Sequence, residues 1–251
     1  RRLVDIIQSN RYMISRAKNL RAWVSIWLLL IVSTTLLSAA NNETLEWRFT
    51  NPQPHGNNIV NMEYSPTLVQ GIQVCERGRF YHSADLVSWT LGASGTTKAL
   101  RSVAFLNNRI VITGEAGTVL WGDSIDNLQP GNITATPDWL EDVAASTNLL
   151  VAVGDFGAIY TSSDGINWTK RSVSFSDWLR AVTWSGSQWV AVGETGTIAT
   201  SPDGSTWTKQ TSGTTADLNN VNYLDGIYYV VGAAGLSMSS PDAATWTAEN
   251  I

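Results

Sequence analysis

Four acidic residues recur at a nearly constant spacing and are the first whose types suggest chemistry. They are Glu76, Glu115, Asp155 and Glu194, which lie 39 or 40 residues apart. The pairs Asp138–Trp139 and Asp177–Trp178 repeat at the same interval and place an indole beside a carboxylate. Such a group can hold a cation, a sugar or a basic segment of a partner protein. The alternative is structural, with the acids capping backbone N–H groups or pairing with Arg101 and Arg180.

The acids belong to a larger internal repeat. Three of them lie in the markers GEAG, GDFG and GETG, which continue as GAAG near the C-terminus and as CERG, with Cys75 in a glycine place, near the start. Trp168, Trp207 and Trp246 are 39 residues apart, and Leu-x-x-Val pairs follow the same interval. Three markers in register over five units indicate a repeat protein.

One unit divides into four short strands. In residues 179–210 the segments RAVTWS, QWVAV, TIATS and TWTKQ are rich in β-favouring residues, and the breaks between them hold Gly, Pro, Asp and Ser. Four antiparallel strands in about 40 residues are typical of a β-propeller blade. The sequence therefore predicts an all-β protein, a β-propeller of four-stranded blades, with about five blades in this chain.

The turn between the third and fourth strands carries a Ser-x-Asp-Gly-x-x-Trp motif. We expect its Asp to accept backbone N–H bonds across the turn and its Trp to pack between adjacent blades. Because the motif recurs in most units, it predicts a structural role; a catalytic group is normally present once. Its residues are Asp85, Trp89, Ser162, Asp164, Gly165, Trp168, Ser201, Asp203, Gly204, Trp207, Asp242 and Trp246.

SSDGINW and SPDGSTW resemble the Asp-box, or BNR, repeat of sialidase-like propellers, although they are one residue shorter between Asp and Trp. With VAVGETGTI upstream, residues 47–251 are most similar to non-catalytic bacterial propellers that resemble the photosystem II stability/assembly factor. The resemblance implies a binding or assembly scaffold for a protein or glycan partner. Other members of the superfamily are glycosidases or cell-surface proteins, so a sialidase-like hydrolase and a structural module of a larger surface protein are the alternatives.

The residues themselves argue against an enzyme. Glu63 and Tyr64, the one Tyr–Glu pair, are neighbours on a predicted strand and face opposite ways, while Arg101 and Arg180 share one repeat position. Two histidines and one cysteine predict no metal site, no disulfide and no cofactor. After residue 40 the chain has 10 Lys and Arg against 20 Asp and Glu, a formal charge of −10 that disfavours nucleic acid and anionic membranes.

The N-terminal part has a different composition. An apolar run, residues 22–37, follows three basic residues and precedes Ser-Ala-Ala. This pattern predicts a signal peptide over residues 13–40, beginning at Met13, or alternatively a retained membrane anchor. Residues 1–12 are interpreted as upstream readthrough and residues 41–251 as the propeller. The expected location is secreted, periplasmic or at the cell surface.

The strand count is uneven. Six positions correspond to a fourth strand, but only five sets of first to third strands lie between them. The surplus is LEWRF, Leu45 to Phe49, which carries Trp47. It suggests the closing strand of a blade begun elsewhere, so that this chain is a truncated six- or seven-bladed ring. The alternative is a closed five-bladed ring with a loose N-terminal strand.

Overall fold

The computed structural model describes residues 58–133 and 138–249. These residues form five sheets, each built on a sequential antiparallel meander of four strands, and one sheet gains a fifth, parallel strand; this confirms the predicted β-propeller. The predicted readthrough, signal peptide and surplus strand Leu45–Phe49 lie outside the described residues. Within the described ranges, no helix has the length and hydropathy of a membrane span.

The strands are short and follow the predicted order. Blade 1 contains β1 (Ile59–Ser65), β2 (Gln70–Cys75), β3 (Phe80–Ser83) and β4 (Thr90–Leu91). Blade 2 contains β5 (Leu100–Leu106), β6 (Arg109–Gly114), β7 (Val119–Gly122) and β8 (Gln129–Pro130). Blade 3 contains β10 (Leu140–Ala145), β11 (Leu150–Gly154), β12 (Ile159–Ser162) and β13 (Asn167–Lys170), joined by β9 (Asn132–Ile133). Blade 4 contains β14 (Leu179–Trp184), β15 (Trp189–Gly193), β16 (Ile198–Ser201) and β17 (Thr208–Gln210). Blade 5 contains β18 (Leu218–Leu224), β19 (Ile227–Gly232), β20 (Ser237–Ser240) and β21 (Thr247–Ala248). Single turns of 3-10 helix join the second and third strands of the last three blades, at Asp155–Gly157, Glu194–Gly196 and Ala233–Gly235.

The Leu-x-x-Val marker has a structural explanation. Residues three apart on a regular strand face opposite sides of the sheet. In β14 the register shifts between Leu179 and Ala181, and the other first strands have the same irregularity. A bulge inserts one residue, so Leu179 and Val182 both turn toward the same core, where they are 0% and 4% exposed.

The core lies between consecutive blades. Val151 and Val153 of blade 3 pack with Leu179, Trp189 and Trp207 of blade 4, and all five side chains are buried. The first strands contact one another in the order β1, β5, β10, β14 and β18, around a central channel of about 630 Å³. The recurring Trp therefore packs against the preceding blade, as predicted.

The Asp motif forms the predicted turn. Asp203 Oδ1 accepts the backbone N–H groups of Ser205 and Thr206, both at 2.8 Å, and Trp207 Nε1 donates to the Gly204 carbonyl at 2.9 Å. The same pair of backbone bonds is made by Asp85, Asp164 and Asp242. Burial opposes ionisation of Asp164, but the hydrogen bonds from its turn outweigh it and lower its pKa to about 2. These side chains hold the turn together.

Blade 3 departs from the predicted four strands. The two-residue strand β9 pairs in parallel with β13, and Asn132 Nδ2 donates to Asn167 Oδ1 at 3.0 Å. This pairing follows a short β8, whose Pro130 has no N–H to donate; Leu128, directly before β8, replaces the usual Trp. The extra strand ties the chain leaving blade 2 to the outer edge of blade 3.

The two end blades expose apolar side chains at positions that are buried elsewhere. Tyr229 and Val231 of blade 5 are 41% and 47% exposed, whereas the equivalent Val190 and Val192 of blade 4 are fully buried. On blade 1, Ile59 and Met62 occupy the Leu-x-x-Val positions and are 50% and 53% exposed. Within the described ranges, no neighbouring blade covers these two faces. Closure of the ring by further blades remains a prediction.

Candidate functional site

The turns between second and third strands meet the connections between blades. The N–H groups of Asp155 and Glu194 donate to the carbonyls of Trp139 and Trp178 at 3.1 and 2.9 Å. Gly157 N donates to the Asp177 carbonyl at 3.0 Å. Each turn is therefore fixed against the connection that enters its own blade and the one that leads to the next.

The Gly-x-x-Gly marker explains this close approach. A Cβ on Gly154 would lie 1.7 Å from the Trp139 carbonyl oxygen, so only glycine lets the turn reach the connection. Gly157 has φ +68°, and a Cβ there would lie 2.4 Å from the Phe175 carbonyl oxygen. Of the two residues between these glycines, Phe156 lies on the surface of the propeller.

The four predicted acids are engaged in local contacts. Asp155 Oδ1 accepts the Trp139 N–H at 2.8 Å, and Glu194 Oε1 lies 2.9 Å from Arg180 Nη2. Glu115 accepts from Ala99 N and from Arg101, both at 3.2 Å, and Glu76 accepts from Asn58 at 3.4 Å. These contacts are the capping and pairing roles named as the structural alternative. Asp155 and Glu194 line a common cleft, whereas Glu76 and Glu115 do not line it.

Trp139 and Trp178 come together as an edge-to-face pair. Their ring centroids are 6.1 Å apart and the planes meet at 89°. Arg101 Cζ lies 5.2 Å from the Trp139 ring and Arg180 Cζ lies 5.9 Å from the Trp178 ring. Each indole is thus covered by a cation from its own or the preceding blade, which fixes the pair at the channel rim.

The pair forms one wall of a cleft of about 310 Å³, here called the inner cleft. Phe156 forms another wall, and its side chain is 78% exposed. Its backbone adopts φ 50° and ψ 35°, a left-handed conformation that is unfavourable for an aromatic residue. The inner cleft is lined by Trp139, Asp155, Phe156, Ser176, Trp178 and Glu194.

A second cleft, of about 370 Å³, lies on the other side of Phe156 toward the outermost strand of blade 3. We call it the outer cleft; it is lined by Phe156, Gly157, Lys170, Arg171, Ser172, Val173 and Phe175. Lys170 Nζ is held 2.6 Å from Asp138 Oδ2. Arg171 Nε donates to Thr161 Oγ1 at 2.8 Å. The two clefts together form the Phe156 surface.

The acids around the Phe156 surface differ in their protonation tendencies. Burial raises the pKa of Asp155, and the nearby Asp138 carboxylate adds to this effect. The hydrogen bond from Lys209 lowers the pKa of Asp177, with a further contribution from Thr195. Asp177 therefore stays ionised, and its contacts hold in place the connection between blades 3 and 4 that contains Trp178.

Phe156 was not predicted, although the repeat contains the signal. The equivalent turn residues are Arg77, Ala116, Thr195 and Ala234. All adopt positive φ between 52° and 58°, so the backbone conformation belongs to the fold. The aromatic side chain is not required by the fold, because among the five described blades it is present in blade 3 alone. Looking for residues that break the repeat would have found it.

The central channel contains the groups considered for catalysis. Arg101 lies 3.2 Å from Glu115 and 3.9 Å from Glu141, and Arg180 also contacts Asp217 at 3.4 Å. Asp142 is half-buried in the channel wall; it accepts from Ser102 Oγ at 2.7 Å and from Val182 N at 2.8 Å, joining blades 2, 3 and 4. These contacts use the charged groups to hold the inner strands together.

Cys75 is fully buried, and burial raises the pKa of its thiol, which disfavours the reactive thiolate. Among the described residues, no group of three or more His, Cys, Asp and Glu side chains is arranged to hold a metal ion.

No protein-family model and no curated protein sequence matches the chain. Many solved structures share its fold. One, YCF48 bound to D1 peptide, gives a TM-score of 0.62 at 22% identity and covers 77% of this chain and 67% of that chain. Another, YCF48 from Cyanidioschyzon merolae, gives a TM-score of 0.62 at 16% identity and covers 79% of this chain and 73% of that chain. At these identities the likeness shows a shared β-propeller fold.

Proposed function

We propose that this protein is a non-catalytic binding or assembly factor that holds an extended segment of a protein partner on the Phe156 surface. The observation that carries the proposal is Phe156 itself. A large aromatic ring that is 78% exposed, on a left-handed backbone, contributes little to the fold. Exposed aromatic side chains beside well-formed clefts are typical anchors of protein interfaces.

The structural neighbours support a protein partner. One of the YCF48 structures contains a D1 peptide. A propeller of the same fold can therefore bind a peptide, and the photosystem II assembly factors are the class of protein that this chain resembles. Export, predicted from residues 13–40, is part of the same proposal and is tested by fusing residues 1–57 to a reporter that is active only outside the cytoplasm.

The arrangement of the channel supports a non-catalytic role. A sialidase-type site needs free guanidinium groups for a substrate carboxylate, but Arg101 and Arg180 are paired with acids of this chain. Glu63 lines the channel on the first strand of blade 1, and its neighbour Tyr64 alternates to the other side. A glycosidase remains the alternative from a different class.

The test is calorimetric titration of the full chain with overlapping peptides that cover the D1 sequence. We expect at least one peptide to bind, and the Phe156→Ala variant to weaken it at least about tenfold, a typical loss for an interface anchor. Ala116 and Ala234 already occupy this turn position in blades 2 and 5, so alanine fits the backbone. The matched control is Arg77→Ala, the same turn position in blade 1, which is exposed and distant in sequence from both clefts. Equal losses in the two variants would contradict the proposal.

A glycan is the second candidate partner, favoured by the indole pair beside two carboxylates in the inner cleft. Sugar rings stack on indole, and their hydroxyl groups donate hydrogen bonds to carboxylates. Titration with sialyllactose and with maltotriose tests for a glycan ligand, as opposed to a peptide. A sugar bound in the inner cleft alone depends on Trp139 and Trp178 and not on the outer cleft.

A further inference from the structure

The outer cleft contains a second residue that breaks the repeat. Arg171 follows the fourth strand of blade 3, and its backbone N–H donates to the carbonyl of Ile159. The same backbone bond marks the equivalent position in the other blades, which hold Gly92, Gly131, Gln210 and Glu249. One blade alone therefore places a cation here, and it is the blade that carries Phe156.

The fold does not require the charge of Arg171. In blade 4, Gln210 Nε2 donates to Thr200 Oγ1 at 2.9 Å, just as Arg171 Nε donates to Thr161 Oγ1 at 2.8 Å. An uncharged side chain makes the same contact between strands. Moreover, Arg171 forms no ion pair with any of the described acidic residues, whereas the neighbouring Lys170 is paired with Asp138. The remaining guanidinium donors thus have no described carboxylate to bind.

The two clefts of the Phe156 surface have opposite charge. The inner cleft presents Asp155 and Glu194, and the outer cleft presents Lys170 and Arg171. Phe156 lines both, so a ligand that covers its ring reaches into one or both clefts. Glu194 and Lys170 are paired within the chain, with Arg180 and Asp138, so Arg171 is the cation of the two clefts that has no described ion-pair partner.

We infer that Arg171 is an anion subsite that binds a carboxylate side chain of the partner segment and so fixes the direction of that segment across Phe156. The inference rests on the proposed function and adds the chemistry of the partner. The segment carries an apolar residue over Phe156 and an acidic residue toward Arg171.

The experiment selects binders from a phage-displayed library of random peptides, using the full chain as bait, and then titrates the selected peptides as synthetic copies. We expect an apolar residue flanked on one side by Asp or Glu. Replacing that acid by its amide is expected to weaken binding to the natural chain about tenfold, the usual worth of a charge-assisted hydrogen bond. The same replacement is expected to have little effect on the Arg171→Gln variant, because the two changes remove one contact.

The test variant is conservative, and a second variant serves as its control. In Arg171→Gln the new side chain can contact Thr161 as Gln210 contacts Thr200 in blade 4, so the variant is expected to fold normally. Arg79→Gln makes the same charge change on an exposed turn of blade 1 and is expected to leave binding unchanged.

The outcomes separate the two claims. Selected peptides that bind through Phe156 but show no acidic preference, or that lose equal affinity with Arg171→Gln and Arg79→Gln, overturn this inference alone. If the library yields no peptide that depends on Phe156, both this inference and the proposed function fail.

Discussion

Replacing Phe156 by glycine is expected to remove binding at almost no cost in stability. About a fifth of the side chain is buried, which for roughly 200 Å² of aromatic surface is worth about 1 kcal/mol. Glycine relieves about 1 kcal/mol of left-handed backbone strain. It also makes the unfolded chain more flexible, which lowers the free energy of unfolding by about 0.5–1 kcal/mol. The three contributions leave a net loss of about 1 kcal/mol or less.

The assay is equilibrium urea denaturation of the natural chain and the variant, followed by tryptophan fluorescence, together with titration of a bound peptide. Trp168→Ala is the contrasting variant, because Trp168 is 3% exposed between blades 2 and 3. Its removal is expected to cost about 3–5 kcal/mol. A loss above about 2 kcal/mol for Phe156→Gly would show that Phe156 belongs to the core and would refute the reasoning.

Other predictions follow from the buried and turn-forming groups. Asp142→Ala leaves the Val182 N–H and a second buried donor without an acceptor, and is expected to destabilise the fold by about 3 kcal/mol in urea; a loss under about 1 kcal/mol would contradict this. Asp164 has a pKa of about 2 in the folded protein against an ordinary 3.8, so its stabilisation is present above about pH 4 and lost as the pH falls toward 2. The Asp164→Asn variant should therefore show a shallower loss of melting temperature over that range, and an identical slope would argue against the turn. The apolar face of blade 5 should make this chain self-associate, and replacing Tyr229 and Val231 by Ser should shift sedimentation toward the monomer; unchanged sedimentation would exclude this face.

The repeat made the fold predictable from sequence. Markers such as the Leu-x-x-Val pairs recur because every blade needs the same bulge, close turn and interblade side chain. The second strand of blade 4, β15, is apolar along its length and is buried throughout. What periodicity did not predict was β9, because a two-residue strand that pairs with the next blade leaves no periodic signal.

The candidate site was predicted in part. The approach of Trp139 and Trp178 follows from their equal place in the repeat, and the structure brings them into one cleft with Asp155 and Glu194. The acids recur because they cap backbone N–H groups and pair with arginines within the fold. Their regular spacing therefore does not indicate carboxylates that are free to bind a ligand. Phe156 and Arg171 were not predicted because neither side chain recurs in the other blades, so neither contributes to the periodic pattern. In this propeller the recurring residues maintain the blades, and the departures mark the surface proposed for binding.

Hydrogen–deuterium exchange of the full chain, with and without a selected peptide, tests the central claim most directly. Slower exchange is expected in residues 154–158 and 171–178, the segments on either side of the Phe156 surface. The Phe156→Ala variant should show no such protection at the same peptide concentration. Protection confined to the channel strands or to blades 1, 2 and 5 would place the binding site elsewhere and contradict the account.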